Sequence, residues 1–553
     1  MTASFNLTTK SWIPCVDLNG RPRELSLLEL FAQAQQLRGI EDDNPLVVAS
    51  LHRLLLAIVH RAVNGPKNVN KWKELWDMGR FSDAVRVYLL KKDINSRFDL
   101  FSKDHPFYQT AGFENLSVKK DKEPTIERKN ISKLNIALSS GGNKTLFDHN
   151  LESEFVGFTP SECARFLLVA QNYSFSGLAK TSVRISEGSI TYQGNFYNSH
   201  LVGHVMVLLI GSNLFETIML NTLIYKEEKP NSVPTQLTND SPIWEKGSKF
   251  LATGKRKPAG YLEFLTWKSR HVRLIPEMQD NRVLVRYMFF GQAEELDSVD
   301  DPLCWYVSHE NGSKQLRLTV EKAYWRDSGA LFQFALENEK VPPYALKQLS
   351  YLLNRRLLQD QHNRAIVIGL ANEQAKPLLW RQELFPVPSV LLQNKEKVML
   401  LSFWLEHAEK SGWMLRQAVV YFVAYLLNDD VEKVQKLASS FIDENIEQRS
   451  AVKTFKVPQK YQEILRKKKS MSTERQFWIR MEPLFYEFMR ELSSDVNFNE
   501  WKKRVADLAL NVFSETTVNS LCRSIREIKA GVLARKILNG KIHAILTSGV
   551  EGF

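Results

Sequence analysis

The chain has 553 residues, 44% hydrophobic and 25% charged, a balance that excludes disorder as its main character and gives more apolar material than one core can use. Lys and Arg outnumber Asp and Glu by 74 to 62, and residues 451–553 hold 19 basic against 11 acidic side chains, so the C-terminal end is expected to attract polyanions. The four cysteines, Cys15, Cys163, Cys304 and Cys522, lie far apart with no CxxC pair and no histidine at ligand spacing, which argues against a zinc ribbon, a disulfide framework or a resident metal.

The N-terminal segment MTASFNLTTKSWIP lacks a basic stretch followed by an apolar one. The greasiest runs, Leu201 to Ile210 and Ala418 to Leu427, are too short to cross a bilayer, so a cytoplasmic chain with no membrane partner is expected. Phe5 to Leu30 alternates apolar and polar residues around Asn19-Gly20, which predicts a β-hairpin with a two-residue turn. Val48, Leu51, Leu54, Leu55 and Val59 recur at helical spacing and predict a buried helix over 45–63; His52 and His60 on it are eight apart, the wrong spacing for a metal pair. Residues 114–150 are polar and basic, an exposed loop with Leu146 and Phe147 after the glycines of Ser139-Ser140-Gly141-Gly142-Asn143-Lys144.

Asn172 to Thr181 is a small-residue loop around Ser176, Gly177 and Leu178; it lacks the spacing of a phosphate-binding P-loop. YLEFLTWKSRHVRL, 261–274, alternates as a strand and places Lys268, Arg270 and Arg273 near a bend. Arg282, Arg286, Trp305, Trp325 and Arg326 extend this basic and aromatic mixture, which suits phosphate contact or stacking and equally suits core tryptophans with surface arginines. GLANEQAKPLLWRQELFPVP, 369–388, then turns from an apolar run to short polar residues, Asn372-Glu373-Gln374-Ala375. It reads as a rigid loop at a domain junction, able to touch base edges but without a strong base or nucleophile.

From Asn394 onward the pattern is helical. Helices are predicted over 398–409, 413–427 and 516–538, with two more carrying the stripes Phe477, Met481, Leu484, Phe488, Leu492 and Trp501, Val505, Leu508, Val512. Thr473 and Gln476 form a capping box and Pro483 a kink. Arg466-Lys467-Lys468-Lys469 is placed in a loop between helices, as a track for DNA phosphates.

Several pieces, in this order, resemble the large subunit of the type I-E CRISPR Cascade complex, the CasA family: FNLTTKSWIPC, DHPFYQT at 104–110, GGNKTLFDHN at 141–150, YLEFLTWKSRHVRL, AYWRDSGALF at 323–332, GLANEQA at 369–375, and the helical end. The resemblance implies an α+β fold, with a mixed α/β domain over 1–390 and a four-helix bundle over 391–553. It implies a subunit that is not an enzyme and needs no cofactor, which reads a protospacer-adjacent motif in double-stranded DNA from the minor groove, wedges the duplex open and recruits the Cas helicase-nuclease. The implied wedge falls on Asn372, Glu373, Gln374 and Ala375, the motif-facing loop on Ser176, Gly177 and Leu178, and a basic minor-groove contact near Arg282. The loop docking toward the guide RNA falls on Asn143, Lys144, Leu146 and Phe147. Implied partners are CRISPR RNA, the target duplex and the other Cascade subunits: the backbone, the small-subunit dimer and the subunit holding the guide 5′ end.

Two other readings stay open. A metal-dependent nuclease would need Asp104-His105, Asp148-His149, Asp300 and Asp301 to converge. A purely structural scaffold would need no DNA contact.

Overall fold

The computed structural model describes residues 3–113, 128–136, 157–186, 189–225, 240–247, 255–297, 299–309, 312–320, 322–332, 343–359, 363–373, 376–450, 455–521 and 523–547. It is a mixed α+β protein, with small sheets in the N-terminal part and a helical C-terminal region. The chain divides into two compact units, one of Met1–Tyr324 with Ala330–Gln393 and one of Trp325–Gly329 with Asn394–Phe553.

The first unit is built around the helix Pro45–Ala62. Asn44 caps it by accepting from Leu46 N–H, Pro45 fits the first turn, where no N–H is needed, and nearly every residue is buried. It is the one described helix long and apolar enough to cross a membrane, and its burial inside this unit accounts for that composition. His52 and His60 are both buried here. The His60 ring lies between Tyr225 and Tyr261, with centroids 5.2 and 5.1 Å away, and burial lowers its pKa to about 3.

The opening strands Ile13–Asp17 and Pro22–Leu25 pair antiparallel, with Leu37–Ile40 on the other side of the first. The predicted two-residue turn is a longer loop. Asp17 N–H bonds to the Arg21 carbonyl, Gly20 at φ +82° closes the reversal, and the next segment, Leu27–Gln33, is a helix opened by a Ser26–Glu29 capping box. The predicted 114–150 loop is also partly wrong. Lys129–Asn130 pairs with the strand Arg282–Gln292, Ile131 and Leu134 are buried, and the Lys133 ammonium sits 5.9 Å from the Phe290 ring.

In the second unit, the helices predicted over 398–409 and 413–427 are one 33-residue helix, Lys395–Leu427. Gly412 reads as a break in sequence, yet a Cβ there would lie 2.7 Å from Trp478 and 3.1 Å from Phe477, so glycine serves close helix packing. Around this helix pack Gln459–Met471, Thr473–Glu491, Phe498–Phe513 and Ile525–Thr547. Phe477, Met481, Phe485, Phe488 and Leu492 form the buried stripe, with Phe485 in the seat expected for Leu484. The predicted capping box is absent. Ser472 precedes the helix in a left-handed conformation, φ 54°, with no side-chain cap, and Thr473 Oγ1 instead meets Thr516 Oγ1 at 2.9 Å. The final helix begins at Ile525, after a π-turn over Ser514–Val518, rather than at 516.

Candidate nucleic-acid interface

The stretch expected to be a junction loop is a β-hairpin. Arg364–Glu373 and Lys376–Pro386 pair through ten registered positions ending at Glu373 opposite Lys376, with a bulge between Ala371 and Asn372. Gln374 and Ala375 are the two connecting residues and lie outside the described residues. Pro377 and Pro386 lie at the ends of an edge strand, where a missing N–H costs no ladder bond. The inner strand has Ala365, Val367, Ile368, Leu370 and Ala371 buried and pairs on its far side with Val205–Ile210. That pairing stops at Gly369 opposite Val205, four residues before Glu373, so the paired strands of the hairpin run on roughly 13 Å past the last paired residue of their inner neighbour. Glu373 is exposed and Asn372 half-buried. On the outer strand Glu383 accepts from Tyr324 N–H at 3.2 Å, and Arg381 bonds to the Lys322 carbonyl at 3.0 Å.

The segment around Ser176 is only partly the loop expected. Helix Pro160–Tyr173, capped by a Thr159–Glu162 box, ends at Ser174. Gly177 and Leu178 already belong to the strand Gly177–Ser186, which forms a hairpin with Ser189–Phe196. Gly177 pairs with Phe196, and Ser176 and Gly177 are exposed.

YLEFLTWKSRHVRL is not one strand. Tyr261–Leu265 is a short helix whose first N–H groups, from Leu262 and Glu263, are held at 2.9 and 3.0 Å by the Asp240 carboxylate, a cap too distant in sequence to be read locally. The strand runs Arg270–Gln279 and turns through Asp280 and Asn281, at φ 48° and 64°, the signature of a two-residue primed turn, into Arg282–Gln292. Arg282 is exposed beside that turn. Ten residues of strand, roughly 33 Å, separate it from Gln292, which bonds to Tyr197 N–H at the base of the other hairpin. Arg282 and the Ser176 segment are therefore at opposite ends of the same strand and are not brought together.

The other basic candidates are mostly committed inward. Lys268 is buried, donates to the Gln109 carbonyl at 3.0 Å, and has its pKa pushed down to about 7 by burial. Arg273 donates to the Ser102 carbonyl and Arg286 to the Gln279 amide oxygen. Trp305 and Trp325 are core residues, and Arg326 lies over Trp478 while pairing with Glu409 at 2.8 Å. The run Arg466 to Lys469 is helical, within Gln459–Met471. Lys468 is buried between Glu447, 2.5 Å away, and Glu474; Arg466 and Lys467 both reach Glu463, and Lys469 is exposed. Lys468 is thus withdrawn from any phosphate track. Helical periodicity accounts for this, since Tyr461, Ile464, Leu465 and Lys468 share the buried face. The guide-docking residues Asn143, Lys144, Leu146 and Phe147 lie outside the described residues.

Sequence reasoning missed Arg270 as a structural centre. Arg270, Val272 and Leu274 share one face of a strand, and that two-residue period would have pointed Arg270 into the core. Of the residues a nuclease would need, Asp148 and His149 lie outside the described residues. Asp301 is buried and already spoken for, 2.6 Å from Arg53 Nη1 and 2.7 Å from His200 Nε2. Among the described residues no group of three His, Cys, Asp or Glu side chains is placed to hold a metal.

Comparison with known proteins agrees with this architecture. Residues 6–512 match the family described as CRISPR-associated protein Cse1. CRISPR-associated protein CasA/Cse1 of Thermus thermophilus is 29% identical over 529 residues, covering 93% of this chain and 92% of that protein. The crystal structure of CasA from Thermus thermophilus superposes with a TM-score of 0.74 at 25% identity, covering 98% of this chain and all of the other. Cse1 from Acidimicrobium ferrooxidans gives 0.77 at 20% identity, with 98% of each chain covered. A chain in a CRISPR RNA-guided surveillance complex gives 0.71 at 18% identity, covering 97% of this chain and 99% of that one. A family match over nearly the whole length, joined to the same fold, places this chain in the Cse1 (CasA) family, that of the large subunit of the type I-E Cascade surveillance complex.

Proposed function

We propose that this chain is the DNA-reading large subunit of a cytoplasmic type I-E Cascade complex. In this reading it recognises a protospacer-adjacent motif in the minor groove, opens the adjoining duplex so that guide RNA can pair, and recruits the helicase-nuclease without cutting DNA itself. It assembles with the guide RNA and the other Cascade subunits, its long C-terminal helices serving as the four-helix bundle.

What carries this reading is the hairpin 364–386, whose paired strands run past the last paired residue of their inner neighbour and are joined in sequence by Gln374-Ala375. Parting a base step costs a few kcal/mol, which a group recovers only if its own position was fixed before binding. Arg364–Glu373, the strand leading to Gln374-Ala375, is buried along most of its length, and a group carried on such a strand spends less energy on its own ordering than one on a free loop. The minor groove offers a degenerate pattern of donors and acceptors, so short polar side chains and backbone at Ser176 and Gly177 suit a permissive motif. Exposed cations such as Lys469 add a sequence-blind, salt-sensitive share.

The test is to titrate the guide-RNA complex, with and without this chain, against duplexes that differ only beside the target. A preference that appears only when the chain is present supports the reading. A preference that survives without it makes the chain a scaffold.

A further inference from the structure

Arg270 is completely buried, yet among the described residues its guanidinium meets no carboxylate. Its partners are oxygens of neutral groups. Nη1 donates to the Ser269 carbonyl at 3.0 Å and to Gln292 Oε1 at 3.1 Å. Nη2 faces the carbonyls of Ser174 and Phe175, each at 3.2 Å, and of Tyr197 at 2.5 Å. The Phe196 ring lies 5.3 Å from the guanidinium carbon. Its backbone is fixed as well, since the Gln171 amide accepts from Arg270 N–H and donates to Arg270 C=O.

These contacts fall on both ends of one hairpin. Ser174 and Phe175 lead into the strand Gly177–Ser186, and Tyr197 follows Ser189–Phe196. A second tie joins the same two segments, where Asn198 Oδ1 accepts from Ser176 N–H at 2.6 Å from an exposed position. Gln292 completes the set by accepting from both Arg270 and Tyr197 N–H.

Burying a cation without a counter-ion is costly, and here burial lowers its pKa to about 9. A neutral side chain could fill the same volume, but none presents five N–H donors in a flat fork able to hold three carbonyls from two chain segments at once. The arrangement therefore fixes the direction in which Ser176 and Gly177 leave the core more than it fills space.

We propose that Arg270, with Asn198, is a positioning residue for motif selectivity: the two clamp the base of the 177–196 hairpin and so set how Ser176, Gly177 and Leu178 meet the minor groove. This inference rests on the motif-reading function proposed above. Lysine cannot replace the arginine, because an ammonium is a point donor and cannot span the Ser174, Phe175 and Tyr197 carbonyls together with Gln292.

The experiment uses the full guide-RNA complex reconstituted with wild-type chain, Arg270→Lys or Asn198→Ala, after each is shown to enter the complex. The readout is the ratio of affinities for duplexes with the preferred and an altered motif. That ratio is expected to fall roughly tenfold in Arg270→Lys and less, in the same direction, in Asn198→Ala. A ratio equal to wild type in both variants overturns the proposal. Should Arg270→Lys not fold, the exposed Asn198→Ala decides the matter alone by the same two outcomes. A wild-type ratio that persists without the chain removes the motif-reading function itself, and the positioning role with it.

Discussion

Arg53 and Asp301, 248 residues apart in sequence, meet at 2.6 Å in the core of the first unit, and His200 completes the contact from the other side at 2.7 Å. The Arg53 guanidinium and His200 hold the Asp301 carboxyl well below the usual carboxylate range despite its burial. Asp301 also accepts from Leu303 N–H, and the following segment lies along Val205–Ile210, the inner neighbour of the hairpin 364–386. Asp301→Asn leaves Arg53 as a buried, unpaired cation, so a loss of about 3–5 kcal/mol in urea unfolding of the chain is expected. A loss under about 1 kcal/mol would contradict this account.

His52, His60 and His204 are buried, and burial lowers their pKa values to about 4, 3 and 3. A depressed folded pKa means that the unfolded chain binds protons first as pH falls. Their neutral forms thus favour the fold fully above about pH 6.5, and this contribution is lost progressively down to about pH 3. Unfolding midpoints measured from about pH 7.5 to about pH 5 should fall steadily. His60→Phe, which keeps a ring between Tyr225 and Tyr261, should make the slope shallower.

Gly412 allows the helices Lys395–Leu427 and Thr473–Glu491 to approach closely, because a Cβ would lie 2.7 Å from Trp478. Gly412→Ala improves helix propensity by about 1 kcal/mol but overpacks the contact by about 1–3 kcal/mol. Net destabilisation on thermal unfolding is expected; a net gain would show that Trp478 gives way.

The basic run in Gln459–Met471 separates into structural and exposed residues. Lys468→Ala removes the partner of Glu447 and Glu474, and should destabilise the chain by about 1–3 kcal/mol. Lys469→Ala should leave unfolding unchanged and lower the salt slope of duplex binding by about 1.

How much the sequence disclosed depended on whether each signal was local. The apolar period of 45–62 and the stripe Phe477 to Leu492 were legible because a helix repeats its buried face over several turns. The extent of Lys395–Leu427 was not, because a glycine that marks a break in an isolated helix here serves tight packing. Tyr261–Leu265 was read as strand because its cap comes from Asp240, in another segment. Asn372 to Ala375 was read as part of a junction loop, whereas Arg364–Glu373 and Lys376–Pro386 pair as a long hairpin whose edge strand tolerates Pro377 and Pro386. Charge was the least reliable guide. Lys268 and Arg270, open in sequence to phosphate contact, and Lys468, read as part of a separate phosphate track, are all buried, because only the folded chain reveals where carbonyls and carboxylates await them.

In the proposed function the end of the hairpin 364–386 parts the duplex. The most direct measurement is the permanganate reactivity of thymines in the first base pairs beside the motif, in target duplex bound by guide-RNA complexes carrying wild-type chain or Gln374→Ala. With equal amounts of duplex bound, this account predicts that opening falls roughly tenfold or more in Gln374→Ala. Equal reactivity in the two complexes would contradict it.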